Sequence, residues 1–202
     1  MLISAFTAGV KFDCELVDLG THTTASGVDF YTINPKGNVP ALVLEDGTVL
    51  NEGIAVLSYI ANQAPGKVSP SDANSKEFYQ MLVALSYTAS EVHASIGPLF
   101  YPLGPEVKEW AKNKFLTKLN YLESTLIANK AFVAGSSFSI ADAYLAIVLS
   151  WCPYVGIDLT PYPKVKTYYE RISTLNNWVD AKAHIDTQQK LHLTFFKVMI
   201  LD

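Results

Sequence analysis

"NPKGNVPALVLEDGTVLNEG", residues 34–53, places three signals side by side. Residues 41–44 and 48–50 are short apolar runs flanking Asp46-Gly47, the pattern of a β-hairpin. Pro40 stands directly before the first run, where its missing N–H is tolerable only if that position faces away from the ladder or toward a ligand. A cis Val39-Pro40 bond would turn the chain there and leave the Val39 N–H and C=O at the sheet edge, free to pair with an extended peptide. Glu52-Gly53 then opens an apolar helical pattern. The first N–H groups of such a helix attract a carboxylate, glycine lets a ligand come close, and the Glu52 carboxylate suits an ammonium. Taken singly, Pro40 is better read as a turn and Glu52 as a favourable first-turn acid. Their order and spacing together favour a site for a small peptide with both an α-amine and an α-carboxylate.

Outward from this stretch, residues 1–9 read as the end of a helix stopped by Gly9, and residues 12–19 as a strand. Residues 21–26 form a polar loop, and 28–33 a short helix. Ile54, Leu57 and Ile60 share one face of the helix over 52–63. The Pro/Gly/Ser-rich run "APGKVSPSDAN", 64–74, reads as a joint between two domains. Everything beyond it has helical periodicity, with long apolar segments over 77–95 and 105–129. Ser139 and Asp142 are spaced as a capping box before an apolar run over 143–151 that is fit only for burial. The expected class is therefore α/β plus all-α, with a small α/β domain over 1–65 and an all-helical domain over 75–202.

Composition narrows the function. The chain has 202 residues, half of them hydrophobic and 17% charged, which suits an ordinary folded core. A net charge of −4 without a Lys/Arg cluster argues against a nucleic-acid partner. No run approaches the ~18 apolar residues that span a bilayer, so no membrane partner is expected. The first residues lack the basic start and small-residue cleavage site of a signal peptide. Cys14 and Cys152 are far apart, with no CxxC and no metal-ligand spacing, which favours reduced thiols and a cytoplasmic location. Both read as small buried hydrophobes rather than nucleophiles.

"NPKGNVPAL", "DGTVLNEGIAVLSYIA", "SEVHASIGPLFYP" and "SFSIADAYL" resemble the cytosolic glutathione transferases, most closely the bacterial beta class. The resemblance covers most of the chain. It implies a thioredoxin-like domain that binds glutathione as co-substrate, an all-α domain that forms the electrophile pocket, and assembly as a homodimer; the segment over 77–95, more apolar than one face of a bundle helix needs, is expected to supply much of that contact. It implies that the Val39 backbone, beside Pro40, meets the cysteinyl part of glutathione. Glu52 and Gly53 would meet the γ-glutamyl end, and Lys36 or Asn38 the glycyl side. Ser86, Ser90 and His93 match positions that line the cleft in beta-class enzymes. His93 would hydrogen-bond near the sulfur and assist its deprotonation. A basic residue often follows this histidine in the family; here it is Ala94. Tyr87 and Tyr101 are candidates for the electrophile pocket, with aromatic packing at least an equal reading for Tyr87. Asp142 is expected to be a structural cap, and Asn51 to alter a helix-start hydrogen bond where Ser or Thr is usual.

The chain departs from the family at its start. The family opens with a strand and a loop carrying the thiol-activating Cys, Ser or Tyr. "LISAFTAGVKFDCELVDL" matches instead the end of the following helix and the second strand. A misassigned start codon is the expected explanation. Within these residues, weak glutathione binding and slow conjugation are expected, with the thiol near its free pKa of about 8.5. The strand over 12–19 would also lack its parallel neighbour. The tail "KLHLTFFKVMILD", 190–202, reads almost as well as a strand able to fill that gap, although a helix is favoured. The principal functional expectation is a glutathione transferase acting on small hydrophobic electrophiles in detoxification. The alternative is a non-catalytic binding or dimerisation module of the same fold. A glutathione-dependent reductase is disfavoured because no cysteine is placed for a mixed disulfide.

Overall fold

The computed structural model describes residues 1–189 and 195–200. Helix α1 (Leu2–Ala8) stops at Gly9, whose φ of 74° supplies the left-handed cap. Strand β1 (Asp13–Asp18) turns back through a short β2 (Thr23–Thr24), and a single 3-10 turn follows at Phe30–Thr32. The hairpin forms as read, from β3 (Ala41–Val43) and β4 (Val49–Leu50). Helix α2 (Gly53–Gln63) begins just after Glu52 and buries Val56, Leu57, Ile60 and Ala61.

The remaining described elements are helical except the last. They include α3 (Lys76–Tyr87), a π-helical segment over Thr88–His93, α4 (Ala94–Ile96), a 3-10 turn over Gly97–Phe100, α5 (Pro105–Tyr121), a second π-helical segment over Leu122–Leu126 and a 3-10 turn over Cys152–Val155. Then come α6 (Ile140–Ser150), α7 (Pro163–Ser173), α8 (Asn176–Gln189) and β5 (Phe195–Ile200).

The tail corrects the expectation of a helix. Helix α8 runs to Gln189, β5 is a strand, and residues 190–194 and 201–202 lie outside the described residues. The sheet order is β2-β1-β5-β3-β4, so β5 is the central strand. It pairs antiparallel with the whole of β1, from Asp13 opposite Ile200 to Asp18 opposite Phe195. It pairs parallel with β3, Ala41 standing opposite Val198. The physical reason is the ladder. Without a strand between them, β1 and β3 would each leave a row of backbone groups unpaired inside the sheet, at roughly 1–3 kcal/mol for each buried group. A segment rich in aromatic and β-branched residues, "FFKVMI", suits the slot better than an exposed helix end.

Contacts divide the chain into two units. One comprises Met1–Ala64 with α8 and β5; the other is Pro65–Leu175. Relative to the boundaries expected from sequence, α8 and β5 join the first unit. In that unit Val17, Phe30 and Ala41 are fully buried, with Leu19, Ile33, Val39, Val43 and Val49 packed around them. In the second unit α6 is buried on nearly every side, and Phe115, Leu119, Leu122 and Ile96 are wholly enclosed. The Asp142 carboxylate ties its start. It accepts from the Ser139 N–H (2.9 Å) and hydroxyl (2.7 Å), from the Val133 N–H (2.9 Å) and from the Tyr168 hydroxyl (2.8 Å). The capping box forms as read.

Candidate functional site

The Val39-Pro40 bond is cis. Among the described residues no protein group hydrogen-bonds the Val39 N–H or C=O, so both remain available at the edge of the loop that precedes β3. Asn34 holds this loop in place. It is fully buried, and its amide donates to the Asn38 carbonyl (2.5 Å) while its oxygen accepts from the Lys36 N–H (3.1 Å) and the Asn51 amide (3.0 Å). One side chain thus ties the turn before Pro40 to the start of α2. Gly37 makes that turn possible. Its φ is 68°, and a Cβ there would stand 2.7 Å from the Tyr31 ring and 2.9 Å from the His22 ring, two rings that stack at 4.4 Å.

At the start of α2, Glu52 is extended and largely exposed, and a Cβ on Gly53 would meet nothing within 4 Å. The space before the first turn is therefore open. The Lys36 ammonium sits on the Glu52 carboxylate at 2.5 Å and also donates to the Asn51 oxygen at 3.1 Å. Lys36 and Glu52 are thus brought together, and Asn51 links them to Asn34. Sequence reasoning gave Asn51 a minor role and passed over Asn34. Periodicity carries no signal for a buried amide, and only its place beside the "NPKG" turn marks it. Asn38 contributes its carbonyl to the network, while its side chain is exposed.

In the helical unit, Ser86 and Ser90 lie one turn apart on exposed positions, and the Ser90 hydroxyl donates to the Ser86 carbonyl at 2.9 Å. His93 closes the first π-helical segment, a local widening that often accompanies functional positions. Its Nδ1 lies 2.6 Å from the Tyr144 hydroxyl on α6, and the Trp151 ring stands edge-on at 4.9 Å. Burial holds the His93 pKa below its ordinary value, so the ring is neutral at pH 7. Tyr144 and Trp151 were not singled out from sequence; α6 reads only as an apolar core helix. Tyr87 packs on Tyr121 at 4.8 Å, and its phenol is pushed up to about 12, chiefly by burial. Tyr101 is exposed. Burial likewise pushes the Cys152 thiol up to about 12, which leaves it inert, and Cys14 is half-buried within β1.

Two family models match the chain: the N-terminal domain of glutathione S-transferase over residues 2–63 and its C-terminal domain over 87–176. Glutathione S-transferase GstA of Escherichia coli O157:H7 is 35% identical over 167 residues, covering 82% of this chain and 83% of the relative. The chain belongs to the glutathione S-transferase family. Its fold is that of solved bacterial members. A Sphingomonas chungbukensis beta-class glutathione S-transferase superposes with a TM-score of 0.83 at 39% identity, covering 89% of each chain. A sphingomonad glutathione S-transferase complexed with glutathione does so at 0.84 and 38% identity, covering 89% of this chain and 90% of that one. The thioredoxin-like and all-helical parts expected of a glutathione S-transferase are both present. No described helix is long and apolar enough to cross a membrane, and no group of three or more potential metal ligands occurs among the described residues.

Proposed function

We propose that this chain is a glutathione transferase that binds glutathione along the residue 34–53 edge and transfers its thiolate to small hydrophobic electrophiles. The observation that carries the reading is that, among the described residues, the Val39 N–H and C=O at the loop before β3 are unengaged. An extended cysteinyl residue pairs with those two groups as an added strand. The γ-glutamyl end lies at Glu52 and Gly53, its carboxylate on the N–H groups that open α2 and its ammonium on the Glu52 side chain. That ammonium takes the place Lys36 holds in the free protein. Lys36, released, joins Asn38 on the glycyl carboxylate. Within the helical unit, Ser86, Ser90 and His93 are the residues we assign to the reaction, His93 as the catalytic one. The partners are thus glutathione, an electrophile and a second copy of the chain, and the role is detoxification in the cytoplasm.

Calorimetric titration with glutathione, beside a conjugation assay with an aryl halide across pH 6–9, tests the reading. Glu52→Ala removes the ammonium's partner and is expected to weaken binding roughly tenfold, about 1.4 kcal/mol. Unchanged affinity in that variant would reject this placement of the peptide. A second reading, a binding module without catalysis, is favoured by the inert Cys152 and by the position of Cys14 inside a strand. It predicts glutathione binding with no conjugation at any pH.

A further inference from the structure

The start of α2 carries a seat for a primary ammonium, and the free chain fills it with one of its own. Lys36 Nζ lies 2.5 Å from the Glu52 carboxylate and 3.1 Å from the Asn51 side-chain oxygen. Ion pairs on a protein surface are commonly chance contacts between two loose side chains. This one has a second acceptor that is held in place. The Asn34 oxygen accepts from both the Lys36 N–H (3.1 Å) and the Asn51 amide (3.0 Å), while the Asn34 amide donates to the Asn38 carbonyl (2.5 Å). The orientation of Asn51 follows. Its NH2 group faces Asn34, so its oxygen faces Lys36. Asn34 is fully buried and anchors both neighbours. The same hydrogen bond pins the Lys36 backbone, and Gly37 beside it, at φ 68°, packs too closely on the Tyr31 and His22 rings to carry a Cβ. The Lys36 side chain, by contrast, is 47% exposed. Its pivot is fixed, and its four-carbon arm is free to swing.

We infer that Lys36 is an exchangeable occupant of the Glu52–Asn51 seat and couples recognition of the two ends of a bound peptide: the peptide's ammonium displaces it, and the displaced side chain binds the peptide's distal carboxylate. The identity of that peptide is taken from the functional reading above. Asn51 becomes a second acceptor for the ligand's ammonium, a role beyond the helix-start hydrogen bond expected of it. Lys36 becomes a specificity-determining residue, which follows from counting ion pairs. A peptide with both groups replaces one pair by two, its ammonium on Glu52 and Lys36 on its carboxylate. A peptide with the ammonium alone exchanges one ammonium for another and leaves Lys36 without its acceptors. A peptide with the carboxylate alone must draw Lys36 away from Glu52, again one pair for one. Each end therefore contributes most when the other is present, and the coupling is reciprocal.

Calorimetric titration with four peptides measures this coupling. They are glutathione, its glycinamide without the distal charge, its deamino form without the ammonium, and the deamino glycinamide without either. In the unaltered chain, removing both groups should weaken binding by less than the product of the two separate losses. The shortfall expected of an exposed ion pair is about threefold. In Lys36→Met, which keeps an apolar arm of similar length, the two losses should simply multiply. The glycinamide should bind this variant about threefold more tightly than the unaltered chain, because it meets no competitor for the seat. Adding Asn51→Ala to Lys36→Met should weaken glutathione several-fold and leave the deamino peptide unchanged; an equal loss for both would remove Asn51 from the seat. Losses that multiply in the unaltered chain, or a glycinamide that binds both chains alike, would overturn the inference and leave the functional reading standing so long as glutathione itself binds. Failure of all four peptides to bind would instead reject the functional reading, and the inference with it.

Discussion

Buried Asp142 and half-buried His93 are ionisable side chains in contrasting surroundings. Four donors converge on the Asp142 carboxylate, so Asp142→Ala would strand the Val133 and Ser139 N–H groups and the Tyr168 hydroxyl inside the helical unit. At about 1–3 kcal/mol for each unsatisfied group, partly relieved by relaxation, a loss of roughly 3–5 kcal/mol is expected. Denaturant unfolding measures it, and a loss under about 1 kcal/mol would mean that the groups find other partners. His93 titrates the opposite way from a paired histidine. Its folded pKa lies below the unfolded value of about 6.5, because burial disfavours the cation. The unfolded chain therefore binds the proton more tightly. The stability His93 contributes is present above pH 6.5 and is lost as pH falls through 6.5 toward the folded pKa. Stability measured from pH 8 to 5 should fall more steeply in the unaltered protein than in His93→Gln; parallel curves would contradict the assignment.

Strand β5 marks the limit of what the sequence discloses at the scale of elements. The hairpin, the helix start at Glu52 and the capping box were all legible, because each is set by residues within a few positions of one another. Asp46-Gly47 needs nothing distant to turn the chain, and Ser139 finds Asp142 three residues on. The state of "FFKVMI" depends instead on an unpaired ladder between β1 and β3, far away in the chain, and its own composition suits helix and strand nearly alike. The functional residues divide in the same way. Lys36, Val39 and Glu52 carry local signals, whereas Asn34 and Tyr144 matter through partners that only folding supplies. A proline at Val198 tests the central strand, since its N–H is lost from a strand paired on both sides. Val198→Pro should cost at least about 2 kcal/mol and speed hydrogen exchange of the β1 and β3 amides. Unaltered protection of Cys14 and Leu16 would show that β1 finds its neighbour elsewhere.

Across the whole molecule, the apolar surface of the helical unit is larger than a bundle needs. Tyr79 and Val83 on α3 are 56% and 61% exposed, and Trp110 on α5 is 60% exposed. We propose that α3 supplies much of a homodimer contact, which at a standard size would bury roughly 1,200–2,000 Å² in total. Sedimentation at micromolar concentration should give twice the chain mass, and Val83→Glu should shift the equilibrium toward the single chain. One species of monomer mass in the unaltered protein would dismiss the dimer.

The central place of β5 also has a consequence for how the protein is made. The strand that joins β1 to β3 leaves the ribosome only after the entire helical unit. Its ladder links residues 13–18 to 195–200, pairings of high contact order that pay their loop-closure entropy before any reward. The helical unit, with its short-range packing, can condense during synthesis while β1 and β3 wait with their edges unpaired. For the length of that wait the half-built sheet is a client for chaperones, and a nascent chain stalled before residue 195 would expose two open edges at once.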